Sequence, residues 1–229
     1  MDIKNIIAKR AAQELKDGQV VSLGIGIPTL IANHVPPGVD VVIQTPNGAI
    51  GVGPAPGPFC GDLDRANAGG DPITLEAGGC FFDSVASYAM IRGGHVDMTF
   101  LGTFQVDAEG NIASYEVPGK IVAGMGGAMD LLAGAKVAIV VTEHCSKRGE
   151  SKLVNRCTFP LTGADKADAI ITERAVFRRC PDKGFVLEEV ARGYTLDDMA
   201  ECTQMDYLVS ENIKMDAYGP EPEAKEPIT

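Results

Sequence analysis

The sequence predicts an α/β protein, a mostly parallel β-sheet flanked by helices. Three observations carry that expectation. Short apolar runs rich in β-branched residues recur at 20–23, 39–44, 96–101 and 137–142. Such continuous runs mark strands buried on both faces, as parallel strands are. Segments with helical spacing lie between them, and strands alternating with helices specify a parallel sheet. Glycine-rich turns stand where the runs end, where open α/β sheets bind ligands.

The elements follow in order. Ile3, Ile6, Ile7, Ala11 and Leu15 recur at helical spacing, so 2–16 reads as an amphipathic helix with Gly18 as its C-cap. A strand at 20–23 breaks into Gly24-Ile25-Gly26-Ile27-Pro28, with Thr29 able to cap a short helix. A second strand, 39–44, ends at Thr45-Pro46-Asn47-Gly48. The stretch 51–72 is rich in Gly and Pro and reads as an ordered functional loop. Strands are then expected at 73–75, 96–101, 137–142, 169–172 and 176–177, and helices at 84–91, 128–133 and 196–201. Asp197 and Asp198 suit the first turn of the last helix. Residues 1–217 read as one domain, without linker or repeat, and 218–229 as a polar, Pro-rich, frayed tail.

Composition narrows the function. The chain has 229 residues, 45% hydrophobic and 22% charged, enough for a real core. A net charge of -11 disfavours nucleic acid, because no basic field displaces phosphate counterions. A polyanionic ligand can still bind through local lysines and backbone amides. No run of twenty apolar residues suggests a membrane span, and MDIKNIIAKR lacks the apolar core of a signal peptide. Six cysteines without CxxC spacing argue against a disulfide framework or a metal site, and suggest reduced thiols in the cytoplasm.

Three glycine-rich turns are candidate ligand sites: GIGIP with Gly24, Gly26 and Pro28, NGAIGVGP from Asn47, and GMGGAMDL. The last is the strongest. Gly126 and Gly127 precede a helical segment, and their amides could donate into a pocket where negative charge develops. Lys120 is a candidate partner for a phosphate or carboxylate. No phosphate loop, dinucleotide fingerprint or GxSxG is present, and His34, His95 and His144 are scattered.

The run SLGIGIP, QTPNGAIGVGP, NAGG, FFDS, AMIRGGHVD, LGTFQVD, VPGK, GMGGAMDLL, EHCSK, CTFPLTG and ITERAVF resembles the B subunits of 3-oxoacid and acetate (acetoacetate) CoA-transferases. The resemblance is collinear from about residue 8 to 209. It implies a CoA-transferase-like fold and an A-type partner chain. It also implies a coenzyme A thioester as substrate and no permanently bound cofactor. The reaction it implies is CoA transfer between short carboxylic or 3-oxo acids through a glutamate in an S-E-N-G motif, a carboxylate nucleophile. Gly127 matches the family's oxyanion-hole glycine, and Gly24, Gly26, Pro28, Lys120 and Gly126 are expected around CoA.

Two departures stand out. The S-E-N-G motif reads Thr45-Pro46-Asn47-Gly48, so the nucleophile position holds a proline. The family's L-P-G-A reads Leu75-Glu76-Ala77-Gly78, which suggests Glu76 as a relocated carboxylate. Cys60 and Cys80, the latter expected in the turn before Phe81, are alternative nucleophiles, and Asp62 and Asp64 are further loop acids. Two other readings compete with transfer: an acyl-CoA decarboxylase or hydrolase on the same scaffold, and an inactive CoA-binding subunit.

Overall fold

A computed structural model describes residues 2–57, 60–62 and 64–220. Helix α1 (Ile3–Ala11) buries Ile7, Ala8 and Ala11 and passes into a 3-10 turn (Ala12–Glu14). The helix therefore ends earlier than its apolar spacing predicts. Leu15 is already extended (φ −67°, ψ 137°), and Gly18 lies beyond it at φ 76°. Strand β1 (Val20–Leu23) leads through Gly24 to a 3-10 helix (Ile27–His34). Thr29 sits inside that helix rather than capping it, and its hydroxyl donates back to the Gly26 carbonyl at 2.7 Å.

The chain continues as β2 (Val42–Thr45), β3 (Ala49–Val52), β4 (Leu75–Phe81), α2 (Ser84–Arg92), β5 (Met98–Leu101), β6 (Gln105–Asp107) and β7 (Ile112–Ala113). Then come β8 (Glu116–Val117), β9 (Ile121–Val122), α3 (Ala128–Gly134), β10 (Val137–Val141), β11 (Leu153–Val154) and β12 (Ala169–Ile171). The chain closes with β13 (Ala175–Cys180), β14 (Gly184–Val190), α4 (Leu196–Cys202) and β15 (Tyr207–Lys214). Ten strands form one sheet in the order β15-β14-β13-β12-β10-β5-β1-β2-β3-β4. Its centre, β2-β1-β5-β10-β12, is parallel, and antiparallel pairs flank it on both sides. Strands β11, β6 and β7 form a small second sheet, and β8 with β9 a hairpin.

The central strands are apolar throughout because both faces are covered. Leu131, Leu132, Val140 and Ile170 belong to one core, together with Ile91 of α2. Ile7, Ile31, Phe100, Ile139 and Ile171 belong to the other, under α1 and the 3-10 helix. Within β10, Ile139 and Val140 fall in opposite cores, as a period of two requires.

β4 differs from expectation. It begins, rather than ends, at Leu75 and runs to Phe81, because β3 pairs along it from Val52↔Leu75 to Ala49↔Phe81. Glycines 78 and 79 look like a turn in sequence, but Gly79 packs directly over Gly51 of β3. Cys80 is consequently a strand residue opposite Ile50. β12 stops one residue short of expectation, and β13 runs well beyond 176–177. α4 begins where expected, with a capping box between Thr195 and Asp198. Tyr218, one residue past the expected boundary at 217, packs in the core and donates to the Thr172 carbonyl at 2.7 Å. Most of the expected tail, 221–229, lies outside the described residues. Among the described residues no helix is long and apolar enough to cross a membrane.

Candidate active site

Strand β1 has β2 on one side and β5 on the other, all three parallel. Such a reversal of strand order opens a crevice beyond the carboxyl ends. A cavity of about 510 Å³ opens there, lined by Gly24 and Ile25 after β1, Gly102 and Thr103 after β5, and Thr142 after β10. Residues 123–128, Pro46, Ala68, Ser114 and Lys152 line it too. Gly24 lets the strand ends close up. Its amide donates to Phe100 O at 2.9 Å, and a Cβ would stand 2.9 Å from that same oxygen.

Pro46 is the second residue of a turn closed by the Gly48 amide, which donates to Thr45 O at 3.0 Å. Proline suits that place because its φ is preset and no N–H is needed. Gly48 has φ 120°, and a Cβ there would overlap the Phe82 carbonyl oxygen. The hairpin therefore keeps a compact path with proline in it. Thr45 Oγ1 donates to Asn47 Oδ1 at 2.6 Å and accepts from the Ala68 amide at 3.1 Å. Asn47 Nδ2 donates to Ala66 O at 2.8 Å. These bonds hold the 66–68 segment against the turn, with Ala68 on the cavity wall.

The second wall is the GMGG segment. Gly124 (φ 87°) and Gly126 (φ 50°) take left-handed conformations. Gly127 is the N-cap of α3. A Cβ on Gly127 would stand 2.9 Å from the Tyr88 hydroxyl and 3.3 Å from Pro46 Cβ. The fold thus joins two motifs far apart in sequence, Pro46 and Gly127. The amides of Gly126 and Gly127 donate to no other described residue.

Other expected residues lie outside this cavity. Glu76 is exposed at the start of β4, with its carboxylate over Gly53. The far end of that strand, Phe81, is the part that pairs beside the Pro46 turn. The expectation that Glu76 stands in the vacant slot assumed that the strand ended at Leu75. Cys60 and Cys80 are exposed, and Asp62 pairs with Arg65 at 3.1 Å. Gly26 begins the 3-10 helix, and Pro28 is buried in its first turn. Lys120 is exposed at the tip of the β8–β9 hairpin. Among the described residues no group of three or more His, Cys, Asp or Glu side chains is placed to hold a metal.

The structure adds residues that the sequence did not single out. Lys152 lines the cavity, and its Nζ donates to Thr142 Oγ1 at 3.0 Å. Burial lowers its pKa, with Glu143, Glu173 and Cys145 opposing the shift. Its backbone joins the small sheet, with Val106 N donating to Lys152 O at 2.9 Å. That pairing delivers the side chain to the end of β10. No local pattern marks it, since a lone lysine in SKLV looks like any surface residue.

A family model described as coenzyme A transferase matches residues 4–201. The chain belongs to the coenzyme A transferase family. It is 46% identical over 207 residues to the B subunit of a probable succinyl-CoA:3-ketoacid coenzyme A transferase of Bacillus subtilis strain 168, covering 90% of this chain and 95% of that protein. It is 45% identical over 213 residues to the beta chain of the acetate CoA-transferase of Escherichia coli strain K12, covering 93% and 97%. Among solved structures, an acyl-CoA transferase apoenzyme (YdiF) of Escherichia coli O157:H7 superposes with a TM-score of 0.74 at 22% identity over 93% of this chain. This transferase chain spans only 43% of that longer one. The decarboxylase AibA/AibB shares the fold, with a TM-score of 0.68 at 19% identity over 96% of this chain and 91% of its own.

Proposed function

We propose that this chain is the B-type component of a heteromeric enzyme that moves coenzyme A between short carboxylic or 3-oxo acids. The observation that carries the reading is the cavity at the strand ends, lined together by Pro46 and by Gly126 and Gly127, whose amides are uncommitted among the described residues. Two such donors stabilise the oxyanion that forms when a thioester carbonyl is attacked. A volume of about 510 Å³ suits a short acyl chain with the end of its thiol carrier. Gly24 and Gly126 let the thioester approach backbone closely. Gly26 and Pro28 shape the turn beside it, and Lys120 offers a cation to the CoA phosphates. Coenzyme A enters as substrate, and no resident cofactor belongs to the reading. Similarity to transferase chains of the B type over nearly the whole length supports an A-type partner. Ile25 and Met125 line the cavity yet are 65% and 53% exposed, an apolar rim that a partner subunit would cover. Six free cysteines fit a cytoplasmic location.

The family's glutamate position is Pro46, and no Asp, Glu, Cys or His is among the described residues lining the cavity. That observation favours a second reading, decarboxylation or hydrolysis of an acyl-CoA, which needs no acyl-enzyme at this position. Co-expression with the A-type partner, acetate and a panel of acyl-CoAs separates the two by mass spectrometry of the CoA species. Acetyl-CoA rising in step with the released acid is the expected result. A shortened acyl-CoA, or free CoA alone, replaces transfer with the second reading.

A further inference from the structure

We propose that Lys152 anchors the carboxylate of the acid that accepts coenzyme A, and that this bound carboxylate is itself the nucleophile that Pro46 does not provide. The inference rests on the transfer reading above.

Lys152 is the only Lys or Arg among the described residues lining the cavity. Its ammonium donates to Thr142 Oγ1 and forms no salt bridge with a described residue. Two of its three N–H groups thus have no acceptor among the described residues. Glu143 and Glu173 act on this half-buried cation without pairing with it, so part of its desolvation cost remains for an entering anion to relieve. The neighbouring hydroxyls do not serve instead. Thr103 donates to Gln105 O and Ala113 O, Thr142 lies near Thr103 O and Glu143 O, and Ser114 pairs with Thr162. Among the described side chains on the wall Lys152 is therefore the spare donor, suited to a carboxylate, while the glycine amides suit an oxyanion.

The chemistry balances without a group from this chain entering a covalent bond. One oxygen of the acceptor stays on Lys152 while the other attacks the thioester carbonyl carbon. The glycine amides hold the oxyanion, the C–S bond breaks and CoA leaves as thiolate. A mixed anhydride remains. The thiolate then attacks the acceptor's carbonyl carbon in that anhydride, and the donor acid departs as carboxylate with the bridging oxygen. One thioester is exchanged for another, with no net proton change.

Such a reaction is sequential, because both substrates must be bound before any product leaves. With the heteromer, initial rates at varied acyl-CoA and acetate should give intersecting reciprocal plots. Lys152→Met should raise the KM for acetate by roughly 10- to 100-fold, the worth of one charge-assisted bond, and Lys152→Arg should recover part of it. Where Lys152→Met does not fold, the wild-type enzyme carries the test. Saturating acetate should then slow reductive methylation of Lys152 about tenfold or more, since a paired anion favours the protonated, unreactive amine. Acetyl-CoA formed with parallel plots, an unchanged acetate KM in Lys152→Met, or an unprotected Lys152 overturns this inference and leaves the transfer reading standing. Free CoA without acetyl-CoA overturns both.

Discussion

Pro46 occupies a turn that takes proline without strain, so losing a carboxylate there need not disturb the hairpin. What changes is the chemistry of one cavity wall, while the facing donors stay in place. Gly127 is the most sensitive of these. A methyl group would meet the Tyr88 hydroxyl and Pro46 together, displacing the amide from the cavity. Gly127→Ala should lower kcat about 100-fold, the usual cost of a lost oxyanion donor. Glu76→Ala, an exposed substitution away from that wall, should leave kcat within about twofold. Steady-state rates of the two variants side by side check both, and a large loss in Glu76→Ala would restore that carboxylate to the mechanism. The glycine runs and Pro46 were legible in sequence because backbone needs are local. Lys152 was not, since its place depends on Val106, Thr142 and His144 converging from separate segments.

Among the elements, parallel strands and their helices were readable from apolar runs and spacing. β4 was misread because Gly78 and Gly79 look like a turn until Gly51 is seen packed against Gly79. Pairing across the hairpin, a non-local fact, sets its length and so removes Glu76 from the slot. His144 shows how the ends of elements dock. It is fully buried after β10, with Nδ1 at 3.1 Å from Thr172 Oγ1 and Nε2 at 3.0 Å from Thr203 Oγ1 just past α4. Burial, with a smaller contribution from Arg174, lowers its pKa from 6.5 to about 3. Between those values the unfolded chain takes up a proton that the folded chain refuses. The contribution is complete above pH 6.5 and is lost as pH falls toward 3. His144→Gln should therefore flatten the fall in urea midpoint between pH 7 and pH 5 relative to wild type. An identical slope in both proteins would show that His144 titrates normally.

For the whole molecule, the fold and its family could be read from motifs spread along nearly the full chain, because the GIGIP and PNG turns fall at strand ends of one sheet and the GMGG turn, between β9 and α3, lines the same cavity. The reaction could not be read so directly, since it depends on what one cavity contains. Gly24, Pro46, Gly127 and Lys152 come from four separate stretches and meet only through the order β10-β5-β1-β2. That cavity has glycine amides, a lysine and Pro46 on its wall, and no Asp or Glu among its described lining residues. Ile25 and Met125 stand exposed at its rim, the surface proposed above for a partner. The most direct measurement is the intact mass of this chain in the heteromer, taken with an acyl-CoA present and compared with Pro46→Glu under the same conditions. Wild type should turn over once acetate is added and keep its unmodified mass throughout, and Pro46→Glu should gain the mass of a bound coenzyme A thioester. A coenzyme A adduct on the wild-type chain would contradict the account, showing that a nucleophile on this chain does the work assigned here to the substrate.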